Sequence, residues 1–171
     1  MDLPELKWIA TARKYIGLRE VKGAKHHQQI VQWWKDIGAP WFTDDETAWC
    51  GAYVGGVLKE AGFPVLPGGK GASARAWNGY GVKLDKPAYG AIAVYWRGSP
   101  SGANGHVNFI VGRDQRGRLM GLGGNQSDSV SVAPFDTSRV LGYRWPSKYP
   151  LAERFNLPLI RTDAQSSSNE A

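Results

Sequence analysis

The chain has one cysteine, so no disulfide can form within it. It has neither a CxxC nor an HExxH pair, and its three histidines and one cysteine show no metal-ligand spacing, so neither a metal nor another cofactor is expected. No apolar run approaches the length that crosses a bilayer, which argues against stable membrane insertion. The opening "MDLPELKWIATARKYIG" mixes charged and apolar residues and lacks the apolar run of a signal peptide. Synthesis in the cytoplasm is therefore expected, with another agent needed for any passage outward. There is also no arginine-rich segment and no aromatic RNA-binding signature, so nucleic acid is not the expected partner.

What is present is a chain of 171 residues, enough for one domain with its own core. Eight tryptophans and a net charge of +6 suit a polyanionic or carbohydrate-containing partner, although charge does not choose among such partners. The first half reads helical. Leu6, Ile9, Ala12 and Ile16 follow a helical spacing that Gly17 ends, and a second helix is expected from His27 to Ile37, with Ile30, Val31, Trp34 and Ile37 inward. A third is expected from about Ala48 to Ala61, and residues 72–77 form a short fourth turn.

The second half changes to strand-like runs at 91–96, 106–111, 119–124, 129–133 and 140–145, separated by glycine and polar turns. Helices first and strands afterwards predict an α+β fold, with N-terminal helices packed on a C-terminal antiparallel sheet. A single catalytic domain over 1–150 is expected, monomeric, with a polar and flexible tail over 151–171.

Two residues carry the chemistry. Asp44, Asp45 and Thr47 are candidate caps that place Cys50 in the first turn of the third helix. There the helix dipole and unpaired backbone N–H groups favour a thiolate, although cysteines are also among the most often buried residues. His106 opens a strand, whereas His26 and His27 stand at a helix start and read as solvated. A lone strand histidine is usually structural, but paired with Cys50 it supplies what thiol catalysis needs, a base that takes the proton and returns it to the leaving amine.

A third group should orient the imidazole through its other nitrogen. Asn125 ends the next strand, and Asn108 lies two residues from His106 on the same strand face, so both are candidates, with Asn125 narrowly ahead. Trp49, Arg75, Trp77 and Trp96 are candidates to line a substrate groove, against the commoner use of tryptophan in cores. Asp44 and Asp45 read first as helix caps, with calcium binding and contact with a substrate amine as the other uses weighed.

The segments "DDETAWCGAYV", "ASARAW", "YGAIAVYWR", "GHVNFIVG", "GLGGNQSDSVSV" and "VLGYRWP" occur in the order seen in phage and prophage lysis proteins. In this the chain resembles the NlpC-type and CHAP (cysteine, histidine-dependent amidohydrolase/peptidase) superfamily, over about residues 5 to 146. The resemblance implies a papain-like fold and cleavage of an amide bond in bacterial peptidoglycan. It matches Cys50 to the nucleophile, His106 to the base and Asn125 to the orienting group, and Glu20 to a recurring position of open role. It further implies an endolysin that acts on the wall in the periplasm after pore-mediated release. The bond it points to joins D-glutamate to the diamino acid of the stem. An N-acetylmuramoyl-L-alanine amidase or a secreted antibacterial effector would use the same chemistry, and a non-catalytic wall-binding module is the reading from another class.

Overall fold

A computed structural model describes residues 4–21, 26–43, 48–151 and 154–167. Three helices come first: α1 (Lys7–Lys14), α2 (Gln28–Asp36) and α3 (Cys50–Glu60). Two 3-10 segments, Pro67–Ala72 and Ala74–Gly79, lead into six strands: β1 (Val82–Leu84), β2 (Ile92–Trp96), β3 (Gly105–Arg113), β4 (Leu119–Gln126), β5 (Ser129–Phe135) and β6 (Val140–Trp145). The strands form one antiparallel sheet in the order β1-β6-β2-β3-β4-β5, so the α+β architecture expected from the sequence is present.

α1 buries Trp8, Ile9 and Ala12, but it stops at Lys14. Ile16, expected on the inward face, therefore falls in the following turn and is exposed. α2 starts differently from the expectation too. His27 caps it, Nδ1 accepting from the Gln29 N–H at 3.1 Å. α2 also buries Trp33, beside the expected Ile30 and Trp34, giving it a broad apolar face.

α3 is the centre of the molecule. Every residue from Cys50 to Leu58 is buried, as befits a helix covered on all sides. Gly56 makes this possible, because a Cβ there would collide with the Trp33 ring. Six of the eight tryptophans (Trp8, Trp33, Trp34, Trp49, Trp77 and Trp145) are fully buried, which leaves only Trp41 and Trp96 to a surface role. Trp8 shows the core use well: its ring meets Trp145 and Tyr149 edge-on, tying α1 to the end of β6.

The short β1 was not legible in the sequence, and β6 lies between it and β2. The C-terminal segment also differs from the flexible tail that its polarity predicts. Residues 158–167 run along the sheet, with hydrogen bonds between Arg113 and both Pro158 and Ile160, and from Ser167 N–H to the Pro134 carbonyl. Arg118 adds bonds to Ser166 Oγ and the Ala164 carbonyl. Backbone and arginine donors hold this segment together with Ile160, which packs on the core over Gly112.

Arg118 is itself held by Asp114 in the β3–β4 turn, Nε to Oδ2 at 2.7 Å, and Asp114 Oδ1 accepts from the backbone N–H of Arg116 and Arg118. Burial alone would raise the Asp114 pKa, but these three donors outweigh it and hold the carboxyl below the ordinary 3.8. A depressed carboxylate stabilises the fold above its unfolded pKa, and that contribution is lost as pH falls through the folded value. Asp114→Asn is therefore expected to cost about 1–3 kcal/mol near pH 7. Urea unfolding should show this gap narrowing as the pH falls below about 4; a gap constant down to pH 2 would contradict the assignment.

Candidate active site

Cys50 is the first residue of α3 and is buried. Trp49 occupies the cap position without a capping side chain, and the expected caps Asp44, Asp45 and Thr47 lie outside the described residues. The start of α3 is fixed from another direction. The Trp49 indole N–H donates to Glu20 Oε1 at 2.7 Å, and its ring stacks on Trp33. Glu20 belongs to a segment paired with the start of β5, its N–H bonded to the Asp128 carbonyl and Val130 N–H bonded to Leu18. Gly124 of β4 lies directly against Trp49 and Tyr53, where a Cβ would not fit. The helix bearing Cys50 is thus seated against the end of β4.

His106 stands at the start of β3, fully buried. Its ring lies parallel to Phe135 with centroids 5.3 Å apart, and Tyr95 is its register partner on β2. The imidazole Nε2 is 3.0 Å from Gln126 Oε1. Asn108 Nδ2 donates to the same oxygen at 3.1 Å, and Tyr95 OH donates to Asn108 Oδ1 at 3.0 Å.

The orientation of the Gln126 amide follows from its other end. Its Nε2 faces two carbonyls, of Ser131 at 2.8 Å and Gly121 at 3.2 Å, which accept only. A flipped amide would set oxygen against oxygen twice, so Oε1 must be the atom facing His106. An amide oxygen accepts only, so His106 carries its proton on Nε2 and, when neutral, the basic lone pair on Nδ1. Gln126 therefore selects the tautomer.

The sequence pointed to Asn125 for this position, and the register explains why. Phe109 pairs with Leu122, and an unbroken ladder would set Asn125 across from His106. The β3–β4 pairing ends at Phe109 and Leu122, and on its other side β4 shifts register against β5 between Gly123 and Gln126, where Asn125 takes a left-handed φ of 58°. That turn carries Gln126 to the imidazole. Asn125 is buried beside it, and among the described residues neither atom of its amide makes a hydrogen bond. Asn108, the rival, buttresses Gln126 by donating its Nδ2 hydrogen to the same Oε1. The only sequence signal for Gln126 was its place in the "GGNQ" run.

The candidates for a substrate groove separate clearly. Trp49 and Trp77 are fully buried, and Trp77 donates to the Gly71 carbonyl. Arg75 spends its guanidinium on three carbonyls, those of Asn104, Pro100 and Ser99, pinning the β2–β3 loop. Trp96 is half-buried beside that loop. Asp45 lies outside the described residues, and among those described no cluster of His, Cys, Asp and Glu is fit to hold a metal. Among them, too, no helix is long and apolar enough to cross a membrane.

Gln126→Ala is expected to cost more activity than Asn125→Ala, on the order of 10²-fold, because it frees the imidazole to rotate and change tautomer. Activity of the two variants, compared at equal folded fraction, checks this. A larger loss in Asn125→Ala would reverse the assignment.

Comparison with known proteins finds a family likeness. Residues 42–125 match the family model described as the CHAP domain. That stretch, just under half the chain, includes Cys50, His106 and Asn125 and stops one residue before Gln126. No curated protein and no solved structure gives a match. The arrangement of N-terminal helices against an antiparallel sheet is consistent with the papain-like fold of CHAP domains. From residue 42 to residue 125, the chain is therefore similar to CHAP domains in sequence, and its architecture is of their kind.

Proposed function

We propose that this chain is a cysteine hydrolase that cuts an amide bond in the peptide stem of peptidoglycan. CHAP domains are in general cysteine-dependent hydrolases of peptidoglycan, cleaving as amidases or endopeptidases. The observation that carries the reading for this chain is the His106–Gln126 pair, which fixes a basic Nδ1 on a strand packed with the helix that Cys50 begins.

In the proposed reaction Nδ1 takes the Cys50 thiol proton, and the thiolate adds to the scissile carbonyl. Collapse of the adduct breaks the C–N bond, and the imidazolium returns its proton to the leaving amine. Water, deprotonated by the same nitrogen, then hydrolyses the thioester, releasing a carboxylate and restoring the thiol. Gln126 keeps the ring in register through both transfers. Asn125 is proposed as a second polar group at this end of β4, and Trp49 as the anchor of the nucleophile's helix. The net charge of +6 favours approach to an anionic wall.

The role proposed is that of an endolysin, made in the cytoplasm and reaching the wall after pore-mediated release. Digestion of purified peptidoglycan tests the chemistry. The chain should clear the suspension, alkylation of its one thiol should stop it, and a chelator should not. Clearing undiminished by alkylation would overturn the reading.

A further inference from the structure

Trp41 is 63% exposed, the most exposed large apolar side chain among the described residues, and it lies one residue before the stretch similar to CHAP domains. Its ring is nevertheless held in place. The benzo edge rests on Gly69, where a Cβ would collide with it, and the ring lies against Phe42, which packs in turn on Trp34. Gly69 has a left-handed φ of 76°, so both its backbone and the ring above it call for glycine.

The segment that supports this ring also touches the helix of the nucleophile. Gly69 belongs to the 3-10 segment Pro67–Ala72, and the Gly71 carbonyl of that segment lies against Gly51, which has no room for a Cβ. Trp77 Nε1 donates to the same carbonyl at 2.9 Å and fixes the contact. Gly51 directly follows Cys50 in α3. Two residues of chain, at most about 7 Å, separate the contact under Trp41 from the contact against Gly51.

The chemistry of the ring selects its ligand. The other exposed large apolar residues, Ile16, Val21, Val82 and Leu159, belong to other segments, so Trp41 offers a single aromatic plane. One ring is far short of the roughly 800 Å² that a protein partner covers, but it matches one pyranose. The negative face of an indole suits the weakly positive C–H face of such a sugar. Lys70, next to Gly69, is exposed and makes no ion pair among the described residues, which favours a strand that carries carboxylates.

We propose that Trp41 is a glycan subsite, on which a pyranose of the peptidoglycan strand stacks while the stem it bears reaches Cys50. The inference rests on the hydrolase reading, which supplies the strand as ligand. Three extended stem residues span about 10 Å, enough to cross from the supported ring toward the start of α3. A stem still attached to its sugars is then a better substrate than the free peptide.

Binding and turnover test this separately. Cys50→Ala protein is titrated with a stem-free oligosaccharide of alternating N-acetylglucosamine and N-acetylmuramic acid, followed by calorimetry and by the NMR signal of the Trp41 indole N–H. That signal should shift saturably. The Kd should weaken roughly tenfold in Cys50→Ala/Trp41→Ala and less in Cys50→Ala/Trp41→Phe, which keeps an aromatic face. An unmoved indole signal, or equal affinity after Trp41→Ala, would overturn the subsite whether or not the chain is a hydrolase. In turnover, the disaccharide-linked stem should exceed the free stem roughly tenfold in kcat/KM, chiefly through KM, and Trp41→Ala should erase the difference. Equal cleavage of both by the wild-type chain would overturn the subsite and leave the hydrolase standing. Oligosaccharide binding through Trp41 with no cleavage of either would keep the subsite and remove the hydrolase.

Discussion

Cys50→Ala is expected to abolish wall hydrolysis, by at least about 10³-fold, while leaving the fold in place. The substitution removes one buried sulfur from the first turn of α3. Alanine is the best helix former, and the lost atom leaves a gap costing about 1 kcal/mol. The helix does not depend on the thiol for its seating, which comes from the Trp49 bond to Glu20 and the contact with Gly124. Thermal unfolding and activity should therefore separate: a nearly unchanged melting curve with no cleavage. Substantial lysis by folded Cys50→Ala protein would remove the nucleophile from the account.

His106→Ala should be equally damaging to activity, on the order of 10³-fold, but with a stability cost that Cys50→Ala lacks. The imidazole fills space against Phe135 and gives Gln126 Oε1 one of its two donors. Losing both should cost about 1–3 kcal/mol, so activity must be compared at temperatures where each protein is folded. A second readout separates catalysis from packing. Without Nδ1 to accept the proton, Cys50 should react with iodoacetamide more slowly at neutral pH. An unchanged alkylation rate in folded His106→Ala protein would mean that the imidazole does not activate the thiol.

The sequence made the architecture legible because its two periodicities are clean. Apolar spacing located α1 to α3, and runs such as "HVNFIV" located the strands that carry most of the core. β1 escaped because three residues with two exposed side chains leave no alternation to read. The docked C-terminal segment escaped because its attachment rests on Arg118, backbone pairing and the single apolar contact of Ile160 over Gly112, which leave no periodicity to read. At the site, Cys50 and His106 stood out by residue type and place. Gln126 did not, since its approach to His106 depends on the left-handed turn at Asn125, and a strand pattern alone assumes that alternation continues. The tryptophans misled for a related reason: their number suggested a surface for wall polymers, and six of them make the core.

Mass spectrometry of the soluble products from purified peptidoglycan tests the central claim most directly. A thiolate mechanism forms one new amine and one new carboxylate for each bond cut. Stem cleavage should therefore leave truncated stems on the sugar chains, ending in D-glutamate, with the diamino acid bearing the new amine. Whole stems released from the glycan would move the scissile bond to the sugar–stem amide and keep the cysteine chemistry. New reducing sugar ends on fragments with intact stems would instead be the signature of glycosidic cleavage, and would contradict the account.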